Sequence, residues 1–206
     1  MAKIAAKTIA KTAGNAPARL IVGISGASGA IYGVRLLEML RRTGVEAHLV
    51  MSKSAEMTLV YETDLKPKDV RALASVNYPV ADIGAAISSG SFPTMGMIIV
   101  PCSIRTMSEI ATGVTSSLLS RAADVVLKEK RRLVLAVRET PLHGGHLRSM
   151  TTLADIGAVI APIVPAFYNR PQSVDDIINH TCGRLLDLFG IDTGNVKRWK
   201  GGPAEA

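Results

Sequence analysis

Two hydrophobic rhythms alternate along this chain. Short apolar runs rich in β-branched residues read as buried strands, and longer stretches with apolar side chains every third or fourth position read as amphipathic helices. The first run is Arg19–Ser25, RLIVGIS, which ends in Gly26-Ala27-Ser28-Gly29. Ala30–Arg42 follows at helical spacing, with Ile31, Val34, Leu37 and Leu40 on one face and Gly44 as the stop. Val45–Ser52 is the next strand, so the chain opens as β–α–β, the connection of a parallel sheet. The pattern goes on with helices over Lys53–Tyr61 and Lys68–Ala74, then a strand over Met97–Pro101. Helices over Ser103–Ala111 and Ser117–Lys130, a strand over Arg132–Val137, a helix over His146–Leu153 and a strand over Ala158–Val164 follow. Ser173 with Asp176 three positions on predicts a capped start to the last helix. It carries Val174, Ile177, Ile178, Cys182, Leu185, Leu186 and Phe189 on one face and stops at Gly190. This alternation predicts a single doubly wound, Rossmann-like α/β domain over residues 19–206, with a mostly parallel sheet and helices on both faces.

Composition narrows the function classes. The 206 residues are 48% hydrophobic and 20% charged, which fits a globular domain and excludes general disorder. The net charge is +7, but Lys3, Lys7, Lys11 and Arg19 supply +4 of it, and residues 20–206 hold 20 basic and 17 acidic side chains. Residues 1–18 are expected to be a frayed basic extension; they lack the Ser and early Arg of a mitochondrial presequence. With a nearly balanced body and only 4% aromatics, no basic stripe with interleaved aromatics predicts nucleic-acid binding. No apolar run is long enough to span a membrane. Cys102 and Cys182 lie 80 positions apart in no metal pattern and suit a reducing, cytoplasmic setting. His143 and His146 form an H-x-x-H pair without a third ligand nearby, so no metal site is expected.

In a doubly wound sheet, ligands bind beyond the carboxyl ends of the strands. Those positions hold Ser25 to Gly29, then Ser52 and Lys53, then Cys102 to Thr106, then Arg138 and Glu139, and last Pro165, Phe167 and Tyr168. Small hydroxyls and cations suit phosphate and polar ring edges. The Gly-rich first turn lets backbone N–H groups approach an anion, although any tight strand-to-helix turn needs Gly. Ser52 stands where a dinucleotide fold places an acid for the ribose, which argues against NAD and leaves a mononucleotide such as FMN. Ser103-Ile104-Arg105-Thr106 fits two readings equally, a second anion cradle or ordinary capping by Ser103. Arg121 and Lys128 share a helix face, where surface charge is the default. Arg184 beside the last apolar stripe fits a snorkelling cation or an anion ligand. Glu62 and Glu139 each fit a proton-handling group or the partner of a cation. Trp199, the single Trp, stands in a polar tail and is expected to dock on something.

Together these stretches resemble the flavin prenyltransferases of the UbiX type. The matching residues are Gly26 to Gly29, Glu62-Thr63-Asp64, Ser89-Gly90-Ser91, Pro101-Cys102-Ser103 and Arg121 to Asp124 with Lys128. Arg138-Glu139-Thr140-Pro141, the FYNRPQS segment from Phe167, Arg184 and Arg198-Trp199 complete the set. The resemblance implies transfer of the dimethylallyl group of dimethylallyl phosphate to N5 and C6 of reduced FMN without a metal. The prenylated FMN would serve a UbiD-type decarboxylase, for example in ubiquinone biosynthesis, and the enzyme would be a homododecamer with sites between subunits. It implies flavin binding by Gly26, Ala27, Ser28, Ser52, Ser103, Ile104, Arg105, Thr106 and Arg138. Arg121, Lys128, Tyr168 and Arg184 would meet the phosphate, Trp199 would cover the prenyl pocket, and Ser28, Glu62 and Glu139 would handle protons. Ala81-Asp82-Ile83-Gly84 stands where some members carry a second Trp, so a thinner aromatic box is expected. The alternatives are a flavin-dependent decarboxylase of the phosphopantothenoylcysteine type and a non-catalytic FMN carrier or accessory subunit.

Overall fold

Six strands pair into one all-parallel sheet in a computed structural model that describes residues 17–194, 196–199 and 201. In chain order the strands are β1 Arg19–Ile24, β2 Glu46–Met51, β3 Val76–Tyr78, β4 Gly96–Cys102, β5 Arg132–Val137 and β6 Val159–Ile160. The helices are α1 Ala30–Leu40, α2 Lys53–Glu62, α3 Pro67–Arg71, α4 Ile104–Thr112, α5 Leu118–Lys128, α6 Gly144–Asp155 and α7 Val174–Asp187. The sheet order is β3-β2-β1-β4-β5-β6. The chain winds one way from β1 to β3 and the other way from β4 to β6. The carboxyl ends of β1 and β4 therefore form the topological switch point where such folds open a crevice. The basic extension falls outside the described residues except for Pro17 and Ala18.

Period-two burial explains the layers. Leu20, Val22 and Ile24 of β1, Ile98 and Val100 of β4, and Val134 and Ala136 of β5 face one core, under α1 and α7. Ile21, Met97, Ile99, Leu133, Leu135 and Val137 face the other, under α4, α5 and α6. Many of these side chains are fully buried, and truncating one such Leu or Ile to Ala costs about 2–5 kcal/mol.

Three expectations change. The Ala158–Val164 run forms ladder pairs only at Val159 and Ile160. The segment still follows β5, with Ala161 N–H donating to Leu135 O and Ile163 N–H to Val137 O. An unforeseen edge strand, β3, pairs with β2, while Lys68–Ala74 shortens to the single turn of α3. Arg19, counted with the basic tail, is the first residue of β1; it pairs with Glu46 at 3.1 Å and lies over the Phe92 ring.

Candidate active site

A row of cross-strand bonds shapes the carboxyl lip of the sheet. Ser52 N–H donates to Ile24 O, Ser25 N–H to Pro101 O, and Arg138 N–H to Cys102 O. The Ser25 side chain, 1% exposed, strengthens the central tie: its Oγ donates to Pro101 O at 2.9 Å and accepts from Ser103 N at 2.7 Å. It joins the ends of β1 and β4 at the switch point and fixes where α4 begins. Burial pushes the neighbouring Cys102 thiol up to about 12, so it is no nucleophile at neutral pH.

Two helix N-termini meet at this lip and are treated differently. At α1 the cap residue is Gly29, left-handed with φ 99°, and it offers no side chain. The Glu62 carboxylate at the end of α2 fills the place: its Oε2 accepts from Gly29 N at 2.8 Å and Ala30 N at 3.0 Å. Two orphan donors and the positive helix end are thereby satisfied by the protein itself. At α4 the cap is Ser103, whose Oγ accepts from Thr106 N and lies 3.2 Å from Thr106 Oγ1. That cap leaves Ile104 and Arg105 at the first two helical positions, whose N–H groups have no intrahelical acceptor. Capping and anion cradle are thus compatible here, because they use different donors. The Arg105 side chain points away to Glu109 and is 84% exposed, so only its backbone belongs to the lip.

The remaining lip residues surround these turns. Ser28 is exposed beside Glu62's helix, and Gly26 packs directly on Ser54. Ser52 caps α2 and its Oγ lies 3.0 Å from Ser54 Oγ. Arg138 and Glu139 are exposed just past β5, where Glu139 Oε1 accepts from Thr140 N.

A second cluster sits beyond β6, beside the Arg138 end of the lip. Tyr168, His180 and Arg184 border a cleft of about 390 Å³ with Ala161 and Leu185. Trp199 rests edge-on against Tyr168, with centroids 6.0 Å apart. The tail that carries Trp199 is fastened next door, where Arg198 makes two bonds to Asp187 at 2.9 and 3.0 Å. Asp187 also accepts from Arg184 at 2.7 Å. The guanidinium of Arg198, and then that of Arg184, holds its carboxyl below the usual carboxylate range.

One chain does not bring the three proposed phosphate cations together on one face of the sheet. Arg121 and Lys128 lie on the outer stripe of α5, paired with Asp124 and Glu129, over the second core. Arg184 is on α7, over the first core, so the sheet separates the two groups. Ile83, 64% exposed, adds no aromatic ring. Sequence reasoning named Ser25 at the strand end without its bonding role, and passed over Asp187, Arg198 as a clasp, and His180. The spacing of His180 and Arg184, one turn apart on α7, was the available signal.

Comparison with known proteins gives the same direction. The Flavoprotein family profile matches residues 9–186. The chain is 63% identical over 186 residues to the flavin prenyltransferase UbiX of Escherichia coli K12, covering 89% of this chain and 98% of that protein. It is 55% identical to that of Thauera aromatica, covering 89% and 94%. Among solved structures, AnUbiX (PadA1) in complex with FMN and dimethylallyl pyrophosphate superposes with a TM-score of 0.90. It shares 52% identity, over 91% of this chain and all of that one. The dodecameric FMN-dependent UbiX-like decarboxylase of Escherichia coli O157:H7 gives 0.87 at 50% identity, over 89% of this chain and all of that one. A PPC decarboxylase shares the fold alone, at 19% identity and a TM-score of 0.56 over 76% of this chain and 86% of that one. By sequence and by fold, this chain belongs to the Flavoprotein family and, within it, to the UbiX flavin prenyltransferases.

Proposed function

We propose that this enzyme transfers the dimethylallyl group of dimethylallyl phosphate to N5 and C6 of reduced FMN, with residues in the following roles. The open N–H groups of Ile104 and Arg105, with Ser103, Thr106, Ser52 and Arg138, hold the flavin and its phosphate. Gly26, Ala27 and Ser28 line the first turn against the ring system. FMN supplies the nucleophilic N5 and C6, and the protein supplies orientation, charge and proton handling. Tyr168 and Arg184 receive the prenyl phosphate together with Arg121 and Lys128 of a neighbouring copy, since allylic C–O cleavage leaves phosphate with extra negative charge. Trp199 shields the pocket from water and faces the allylic cation with its π system. As the new ring closes the prenyl double bond gains a proton and C6 loses one to Glu139, and Glu62 with Ser28 relays protons near N5.

The observation that carries this proposal is that the chain offers an anion two places of different kind. One is the α4 turn at the switch point, with two open N–H groups, and the other is the Tyr168–Arg184 cleft beyond β6. A flavin carrier needs only the first. The opposite placement of the α5 cations supports a symmetric assembly, and a dodecamer is the assembly we propose. The product is proposed to pass to a UbiD-type decarboxylase. Among the described residues no helix is long and apolar enough to cross a membrane, and we place the enzyme in the cytoplasm.

Incubation of the protein with reduced FMN and dimethylallyl phosphate, without oxygen or added metal, tests the transfer. Mass spectrometry of the extracted flavin should find it heavier by one C5H8 unit, and unchanged FMN would refute the activity. Parallel reactions with dimethylallyl pyrophosphate measure the preference between donors, and activation of an apo UbiD-type decarboxylase tests the recipient.

A further inference from the structure

His180 has no part in the roles assigned above, yet it is the most enclosed polar group at the Tyr168 cleft. It is 4% exposed, and its Nε2 lies 3.0 Å from Tyr168 Oη, with the two rings edge to face at 5.4 Å. Its other nitrogen, Nδ1, is buried with no hydrogen-bond partner among the described residues. Burial, and then the Arg184 guanidinium, lowers its pKa from the ordinary value, so the ring is neutral at pH 7 and carries a single N–H.

The place of that one hydrogen decides what Tyr168 can do. With the hydrogen on Nδ1, a buried donor is left unpaired. The Tyr168 hydroxyl must then spend its proton on Nε2 and turns only lone pairs toward the cleft. An anion would be repelled. With the hydrogen on Nε2, His180 donates to Tyr168 Oη, the phenol proton is free to donate outward, and the buried unpaired atom is an acceptor, the more tolerable kind. Tyr168 also packs against Trp199, so the ring that His180 bonds is the one Trp199 rests on.

We propose that His180 is a positioning residue that donates from Nε2 to Tyr168 Oη and so aims the Tyr168 hydroxyl proton at the phosphate of the prenyl donor. This rests on the cleft being the phosphate subsite, and the test separates the two. Trp199 is the only Trp of the chain and reports on Tyr168 directly. Inorganic phosphate is titrated into the FMN-loaded protein while Trp199 emission is followed, and KM and kcat for dimethylallyl phosphate are measured alongside. His180→Phe keeps ring volume and the edge contact but has no donor. It should raise both the phosphate midpoint and the KM about tenfold, the worth of one good hydrogen bond, with kcat changed less than about twofold. His180→Gln restores a donor and should recover most of the loss. In a Tyr168→Phe background, His180→Phe should add nothing.

Unchanged midpoint and KM in His180→Phe, or a Gln variant as impaired as the Phe variant, would overturn the proposal. Should His180→Phe fail to fold, His180→Met is read in its place. If the wild type binds phosphate with these dependences but makes no prenylated flavin, the transferase proposal fails while the His180 role stands.

Discussion

The N-termini of α1 and α4 are two answers to the same local problem. Each helix follows one of the two central strands that meet at the switch point, and each turns its first N–H groups toward the lip. At α4 the cap is local: Ser103 serves Thr106 three positions on, and the first two N–H groups stay open. At α1 the cap is remote: Glu62, 33 positions from Gly29, fills the donors. The Gly-rich turn has the familiar look of an anion site, yet its anion is part of the protein. A helix N-terminus therefore marks a ligand site only after its own side chains have been accounted for. The α4 turn is the one left open for the phosphate of the proposed function, and the α1 turn holds a carboxylate beside the exposed Ser28.

Four experiments break or sharpen that contrast. The largest effect is expected from Glu62→Ala, which would make α1 as open as α4. Turnover should fall about 100-fold or more, as for loss of a proton-handling group, while FMN affinity changes less than about threefold. Equal loss of FMN binding, read by flavin fluorescence, would make Glu62 purely a cap. Next, Ser25→Ala removes the buried hydroxyl that fixes the start of α4 and leaves Ser103 N–H without its acceptor. Denaturant titration should show a loss of about 1–3 kcal/mol, mostly recovered in Ser25→Thr. Third, Ser103→Ala should cost about 1 kcal/mol as a lost cap and lower Tm by about 2–4 °C, with a small weakening of FMN.

The smallest effect lies away from both turns and measures the background pH response of the sheet. His48 is buried between Tyr78, Phe92 and Glu46, and burial lowers its pKa despite the opposing pull of Glu46. The unfolded chain then binds a proton more readily than the folded one, so stability is full above the ordinary value of 6.5 and declines as pH falls below it. Tm measured between pH 7.5 and 5 should fall, and fall less in His48→Gln. His180 responds in the same sense, so the double variant should be flatter still.

Much of the fold was legible because its signals are local. The apolar runs that became β1, β4 and β5 are nearly continuous and rich in β-branched residues, β2 follows the first helix at βαβ spacing, and Ser173 with Asp176 caps α7 as their spacing foretold. β3 escaped notice because Val76-Asn77-Tyr78 is short and half open, and it becomes a strand only where the edge of β2 offers partners. The run that became β6 read too long because apolar character continues past Ile160, where the regular ladder pairing with β5 stops. In the site, Ser103 as cap was readable from Thr106. The bonds from Ser25 to Ser103, from Glu62 to Gly29, and between Tyr168 and His180 were not, since nothing in their spacing links them.

The sequence by itself determined the order of strands and helices, the sheet faces, the local caps and the set of hydroxyls and cations at the strand ends. These depend on contacts within a turn of helix or a strand repeat, which residue spacing encodes. Only the tertiary structure decided which helix end stays open, that Arg121 and Lys128 stand across the sheet from Arg184, and that Trp199 reaches Tyr168 through the Arg198–Asp187 clasp. Those outcomes follow from the strand order and from how α2, α5 and α7 pack on it, which bring distant residues within hydrogen-bonding reach.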